Sequence, residues 1–390
     1  MIKIENTLQT LISAALAVLL AGCLSPSVAE PPSVAPAREA AADAEGLAAA
    51  SEIQMVTLVE NLDDPWGMDF LPSGDLLVSE KSGQLKLIDG RSFAVSDIQG
   101  LPASAAVGQG GLLDVLVHPR FSDNNWVYLS YTVARDEKYT TRVSRARLID
   151  GQLTEHQVLF SAAPYFKERH HFGSRLLISE GYLYITVGDR GNRALAQSLE
   201  THNGKVIRLT EDGAVPADNP FVGNATALPE IWSYGHRNPQ GIAQHPYNGS
   251  IWLAEHGPQG GDELNILKRG GNYGWPLVTY GEEYGGGKIG QGTHKNGTEQ
   301  PLVYWLPSIG TSNLTFYTGD IYPGWQDSVL VGGLKLTRIS RLVLEGEGVG
   351  EETRLLANLN MRIRDLQVGP DGRLYALADG SRLIRLQLEQ

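Results

Sequence analysis

The sequence predicts an all-β fold, a six-bladed β-propeller closed by an N-terminal strand, and three observations carry that prediction. Beyond residue 50 no long segment sustains the 3.6-residue periodicity of an amphipathic helix, whereas short alternating or apolar runs bounded by Gly, Pro, Asp and Asn recur throughout. One strand–turn–strand pattern appears six times at intervals of roughly 45 to 75 residues, the range of a propeller blade with its loops. An apolar segment ahead of the first copy is left over, and the last copy lacks its outer strand. A β-sandwich or two smaller β domains would explain neither the repeat count nor the orphan strand.

The chain opens with a targeting segment. Residues 11–21 (LISAALAVLLA) are too short to span a bilayer comfortably but suit the apolar core of a signal peptide. The run ends in Leu20-Ala21-Gly22-Cys23, which resembles the lipobox of bacterial lipoproteins and gives the single cysteine of the chain a function as lipid attachment point. Residues 1–22 are therefore read as a lipoprotein-type signal peptide, and an ordinary secretory signal is the alternative. Residues 23–50, rich in Pro, Ala and Ser, read as a flexible tether, and 51–390 as the propeller. The expected location is exported and periplasmic, anchored to a membrane through Cys23.

The first copy has Pro65-Trp66-Gly67, strands at 68–71, 76–80 and 85–88, and turns at Pro72-Ser73-Gly74 and Ser82-Gly83. The same order returns at residues 112–132, 175–189, 241–257, 314–333 and 365–380. The last copy supplies only strands 365–369, 374–378 and 383–388, so Ile53–Val59 (IQMVTLV) is predicted to pair as its outer strand and remove two exposed edges at once.

Composition narrows the function. A formal charge of −12 makes the molecule as a whole repel phosphate backbones and anionic headgroups, so nucleic acid is excluded as a partner. One cysteine excludes an intramolecular disulfide and a cysteine-based zinc cage. There is no HExxH, EF-hand loop, GxSxG elbow, Walker loop, or GxGxxG at a strand-to-helix junction.

In a propeller, residues just before the first strand of a blade and just after the second lie on one face near the axis. This places Trp66, Gln109, His171, Arg237, Asn238, Arg362 and Arg364 with Glu80, Asp189, residues 255–261 and Lys335 on that face. Four cations gathered there in an acidic protein imply a small polyanionic ligand. His171 is aimed at the axis, and a neutral imidazole is a natural proton acceptor near pH 7. The Trp and Tyr cluster at residues 272–287 fits either packing or a wall for a planar ligand or sugar ring. In EHGPQGGDELN, the backbone carbonyls of Gly257 and Pro258 with Asp262 and Glu263 suit a hard-oxygen cation such as calcium.

Together, GQGGLLD (108–114), HHFGSRL (170–176), YGHRNPQG (234–241), EHGPQGGDELN (255–265), GGNYGWP (270–276), GLKL (333–336) and RIRD (362–365) resemble the soluble pyrroloquinoline-quinone-dependent glucose and aldose sugar dehydrogenases over nearly all of 53–388. The resemblance implies that Gln109, Arg237, Asn238, Lys335, Arg362 and Arg364 hold the quinone. It implies that the Gly257 and Pro258 carbonyls bind a calcium ion, that Glu263 and Tyr273 hold a second, and that His171 is the general base. It further implies oxidation of the anomeric hydroxyl of an aldose to a lactone, with hydride transfer to the quinone and electrons passed to an external acceptor. His170 stands where the glucose-specific branch carries Asp, so the broader aldose branch is the better match; Trp305 aligns loosely with the family's aromatic substrate wall. A calcium-dependent sugar lactonase is one alternative, but it needs carboxylates or amides converging on one central cation, where this face is rich in Arg and Lys. A non-catalytic propeller binding a sugar or polyanion is the other.

Overall fold

The computed structural model describes residues 38–39 and 53–388. Five four-stranded sheets and one five-stranded sheet form the six blades. Blade 1 comprises Pro65–Phe70, Leu76–Glu80, Gln84–Ile88 and Val95–Asp97; blade 2, Leu112–Val117, Trp126–Arg135, Lys138–Ile149 and Gln152–Ser161. Blade 3 is built from Leu176–Ser179, Tyr182–Val187, Lys205–Thr210 and Ile231–Tyr234; blade 4 from Pro239–Gln244, Ile251–Glu255, Asp262–Ile266 and Val303–Trp305. Blade 5 holds Thr311–Tyr317, Ser328–Gly333, Ile339–Glu345 and Gly348–Leu355, and blade 6 Ile363–Val368, Leu374–Ala378 and Arg382–Leu388. Ile53–Val59 completes blade 6 by pairing antiparallel with Arg382–Leu388, from Ile53 opposite Leu388 to Val59 opposite Leu383, as the orphan strand predicts.

The ring is held by its seams. Apolar residues from both faces of each sheet form six buried clusters, one between each pair of neighbouring blades. The seam that closes the circle packs Met68, Leu76 and Val78 of blade 1 on Tyr375, Leu377 and Leu383 of blade 6, with Val59 beside them. Because both faces of a blade are covered, the strands read as near-continuous apolar runs such as Leu374–Ala378, all buried.

Two features differ from the sequence expectation. Arg38–Glu39, inside the segment read as a flexible tether, adds a short parallel strand to the outer edge of blade 4, opposite Val303 and Tyr304. Arg38 also donates to the Gly350 carbonyl of blade 5 at 2.9 Å. The rest of 1–52, including Cys23 and the signal segment, lies outside the described residues. The second difference is in the inner strands. In blades 1, 2, 4, 5 and 6 the pairing of first and second strands shifts register near the start of the first, between Pro65 and Gly67, Leu112 and Val115, Pro239 and Gly241, Thr311 and Leu314, and Ile363 and Asp365. Such a bulge re-aims side chains at the end of a strand, and here it does so at the entrance to the axial channel.

Candidate active site

The inner-strand bulges and the loops that follow the second strands surround two hollows on one face of the ring. The larger, of about 490 Å³, is lined from five blades by Trp66, Gln109, Asn238, Gly257, Pro258, Lys335, Arg362 and Arg364, among others. Every quinone-holding residue expected from sequence except Arg237 is on this wall. Arg237 lines the second hollow of about 280 Å³, with His170, His171, Asp189, Arg193, Trp275 and Glu283. Pro258 and Tyr284 border both, so the two hollows adjoin.

The cations of this face have few protein partners. Among the described residues, Lys81 pairs with Asp64 at 2.5 Å, but Arg237, Lys335, Arg362 and Arg364 have no carboxylate within 4 Å. Burial, with the nearby guanidinia of Arg175 and Arg362, depresses Arg364 to about 10. A cluster of like charges that disfavours its own ionisation is stabilised by a polyanion.

His171 lines the second hollow, and the residues that follow it, Phe172 and Gly173, line the larger. Its backbone is held at φ 55°, a conformation that costs an L-residue about 1–3 kcal/mol and points to a constraint imposed by function. The His171 amide donates to Gln109 Oε1 at 2.8 Å. Its Nδ1 lies 2.7 Å from Asp189 Oδ1, so the imidazole carries its proton on that side and leaves Nε2 as an acceptor. Asp189 is itself fixed by Trp275 Nε1 on Oδ2 at 2.8 Å and by the Gly191 amide on Oδ1 at 2.8 Å. Burial pulls His171 below its ordinary value, the Asp189 bond opposes this, and Arg237 adds to the fall, keeping the ring neutral at pH 7. For Asp189, burial alone would raise the carboxyl, but the bond from His171 and the charges around it leave it lowered and ionised. The pair has what a general base requires, an oriented tautomer with one ring nitrogen left to accept a proton.

Sequence reasoning placed Asp189 on this face by its position after a second strand but missed its bond to His171, and it missed the floor beneath. There Arg175, 2% exposed, bonds Asp114 at 2.9 Å, approaches Asp365 at 3.3 Å, and lies 4.2 Å over the Trp66 ring. Below it, Asp69 and Asp114 line a further cavity whose walls come from all six inner strands. Burial raises Asp69 to about 7 and Asp114 to about 6, the latter against the pull of Arg175.

The loop expected to bind cations folds as its glycines dictate. A Cβ on Gly257 would stand 2.2 Å from the Gly261 carbonyl oxygen, so the turn closes only with glycine there. Asp262 Oδ1 accepts from the Gly257 amide and from Ser308 Oγ, and Oδ2 accepts from the Gly310 and Thr311 amides, which makes Asp262 a loop brace. Glu263 faces Glu255 across two strands, and burial with the Glu255 charge pushes it up to about 8. Tyr273 departs from the sequence picture in its phenol, which donates to the Ile266 carbonyl at 2.6 Å and accepts from the Lys268 amide at 2.8 Å. That hydroxyl is committed, which leaves the main-chain carbonyl as the donor Tyr273 offers. Among the described residues no group of three or more His, Cys, Asp or Glu is arranged to hold a metal.

Two other expectations are corrected. Trp305 is 1% exposed and bonds Glu352 at 3.2 Å, so it packs in the seam between blades 4 and 5 and walls no hollow. Glu80 is also buried, accepting from the Asp63 amide at 2.8 Å. The aromatic cluster at 272–287 divides: Trp275 and Tyr284 line the second hollow, while Tyr280 stacks on Tyr304 at 3.8 Å.

With this geometry established, known proteins give the family. Residues 62–385 match the family described as glucose/sorbosone dehydrogenase. The chain is 41% identical over 341 residues to the aldose sugar dehydrogenase YliI of Escherichia coli (strain K12), covering 86% of this chain and 92% of the relative. The crystal structure of the soluble aldose sugar dehydrogenase from Escherichia coli in its apo form matches with a TM-score of 0.84 at 40% identity, over 86% of this chain and 99% of the other. The PQQ-bound aldose sugar dehydrogenase from Streptomyces coelicolor matches with a TM-score of 0.71 at 27% identity, over 88% and 100%. The chain belongs to the glucose/sorbosone dehydrogenase family.

Proposed function

From that membership we propose that the protein oxidises the anomeric hydroxyl of aldose sugars to lactones, with pyrroloquinoline quinone and calcium as cofactors and an external protein or small molecule as final electron acceptor. The observation that carries the reading is the oriented, neutral His171 in a sugar-sized hollow that adjoins a hollow rimmed by cations without carboxylate partners. A planar tricarboxylate fits the second of these, because it offers the anionic oxygens that Lys335, Arg362 and Arg364 lack.

When bound, pyrroloquinoline quinone supplies the two-electron acceptor that hydride loss from the anomeric carbon requires. The Gly257 and Pro258 carbonyls would hold a calcium ion that would supply positive charge to the hollow they line, and Glu263 with the Tyr273 carbonyl would hold a second, structural ion. His171 takes the hydroxyl proton at Nε2, and Asp189 stabilises the imidazolium that forms. Trp275 and Gly191 keep Asp189 from turning away. Arg237, Asn238 and Gln109 orient the reactants, Gln109 also by fixing the His171 backbone.

The test is sugar-dependent reduction of an artificial electron acceptor by protein stripped with a chelator, then given quinone, calcium or both, beside a nicotinamide control. Activity is expected only with both additions, and His171→Ala lowers it by about 10²–10⁴-fold while the protein stays folded. Aldose turnover without quinone, or none by folded protein that has bound quinone and calcium, overturns the reading. We further propose export and membrane anchoring through Cys23; Cys23→Ser then moves the protein from the membrane to the soluble fraction.

A further inference from the structure

Tyr284 is the one aromatic side chain that borders both hollows, and nothing in the fold accounts for it. It is 71% exposed, and among the described residues its ring stacks on no other and its hydroxyl makes no hydrogen bond. Three glycines follow it, Gly285, Gly286 and Gly287, at φ +98°, +91° and +116°, with open space where their Cβ atoms would lie. Backbone of this kind is available to glycine without strain and is costly to order. The segment is tied down at few points. Gln259 and Glu282 exchange backbone hydrogen bonds at 3.1 Å, and the Gly285 amide donates to Gln259 Oε1 at 3.3 Å. Arg193 reaches across the second hollow to Glu283 at 2.5 Å, with side chains 46% and 39% exposed.

These contacts set an energy scale. An ion pair this exposed contributes about 0–1 kcal/mol, so the Arg193–Glu283 contact can form and break at small cost at the tip of a loop whose base is held by the Gln259–Glu282 bonds. Arg193 belongs to the same short segment as Asp189, which bonds His171, and Gly191, whose amide fixes Asp189. The pair therefore ties the Tyr284 loop to the part of the chain that sets the base.

We propose that Tyr284 is a substrate-positioning residue, its ring the platform on which the sugar stacks between His171 and the cofactor hollow, and that the Arg193–Glu283 ion pair latches its loop at the rim. The proposal rests on the dehydrogenase reading and deepens it. The C–H bonds on one face of a pyranose carry partial positive charge and meet the negative face of an aromatic ring, while the hydroxyls at its edge remain free for Arg193 and Glu283. An unpacked ring on a glycine-flanked loop, at the place where a sugar must lie for its anomeric carbon to reach both hollows, is arranged for that contact. Loss of the ring weakens sugar binding more than it slows the chemical step.

Steady-state kinetics with glucose and xylose on the quinone- and calcium-loaded enzyme test this. Tyr284→Ala is expected to raise KM about tenfold with kcat changed less than threefold, whereas Tyr284→Phe and Tyr284→Trp keep KM near the wild-type value. Glu283→Gln is expected to raise KM severalfold and to abolish an increase of KM with added salt that the wild type shows, because the latch is an exposed ion pair. Hydrogen exchange of residues 281–292, measured without turnover, should slow on adding xylose to the wild type and not to Tyr284→Ala. All these side chains are exposed, so the variants should unfold at the wild-type temperature. A Tyr284→Ala enzyme with KM within twofold of wild type, or a Tyr284→Phe enzyme as impaired as the alanine variant, overturns the proposal while the dehydrogenase reading stands. A wild type that oxidises no aldose removes both.

Discussion

The rim and the floor of the axial channel carry opposite excesses of charge on the same inner strands. At the floor two buried carboxylates, Asp114 and Asp365, face one guanidinium, Arg175, with the half-buried Asp69 lining the same cavity. At the rim Arg237, Lys335, Arg362 and Arg364 form no ion pair among the described residues, although Arg364 is followed directly in sequence by Asp365. The floor is neutralised internally by ion pairing and by protonation; the rim is left for a ligand to neutralise. Arg190, buried and without an ion pair among the described residues, is satisfied instead by the His170 and Tyr139 carbonyls and by the Phe172 ring, so a missing carboxylate alone does not mark a binding cation; the rim differs in gathering four such cations around one opening.

The largest expected effect comes from breaking the floor. Arg175→Met leaves Asp114 and Asp365 buried without their cation and should cost about 3–5 kcal/mol of stability, read as a fall in denaturant midpoint. A loss below about 1 kcal/mol would mean that the carboxylates are already protonated and the comparison is wrong. Breaking the rim should do the reverse. Lys335→Met and Arg364→Met are expected to leave the unliganded protein as stable as before or more so, and to weaken quinone binding by about 10- to 100-fold, the worth of a hydrogen bond to a charged group. Calorimetric titration with quinone reads this directly.

pH separates the two regions further. Asp69 and Asp114 are raised to about 7 and about 6 by burial, so their contribution to stability is full below the unfolded carboxylate value of about 3.9 and is lost as pH rises through 6 to 7. Asp69→Asn should flatten the loss of stability between pH 5 and pH 8. Catalysis runs the other way. In the proposed reaction His171 must be neutral, and burial holds it below its ordinary value of 6.5, so kcat/KM should be level above neutrality and fall only on the acid side. Asp189→Asn removes the bond that raises His171, moving the acid limb to still lower pH while lowering the plateau. An acid limb that moves upward instead would show that Asp189 is not the partner that matters. The smallest effect concerns the outer edge: removing residues 1–49 takes away the Arg38–Glu39 strand and should cost about 1 kcal/mol or less, detectable as a small shift in thermal midpoint.

Much of the ring was legible because propeller repeats announce themselves through local pattern. Leu374–Ala378 has the bounds expected from its apolar run, and Ile53–Val59 was identifiable as a closing strand because its hydrophobicity had no neighbour to cover it. The placement of Lys335, Arg362 and His171 on one face followed from strand order alone. What could not be read depends on geometry across blades. The Arg175–Asp114–Asp365 cluster joins residues from three blades and has no local signature. Trp305 was misjudged because an aromatic beside a loop reads the same whether it faces a cleft or a seam. Arg38–Glu39 escaped notice because a two-residue strand borrows its hydrogen bonds from a partner more than 260 residues away. Tyr284 lay within a run whose packing and ligand-facing members share one composition.

The pairing of Ile53–Val59 with Arg382–Leu388 makes the beginning of the domain wait for its end. No strand pairing among the described residues spans a longer loop, and loop closure of that length is slow and comes late. During synthesis the first strand emerges with nothing to join and stays an unpaired edge until the last residues arrive. The two ends of the domain therefore stand or fall together: loss of Arg382–Leu388 would leave Ile53–Val59 without its only strand partner among the described residues and would strip Leu383 from the closing seam.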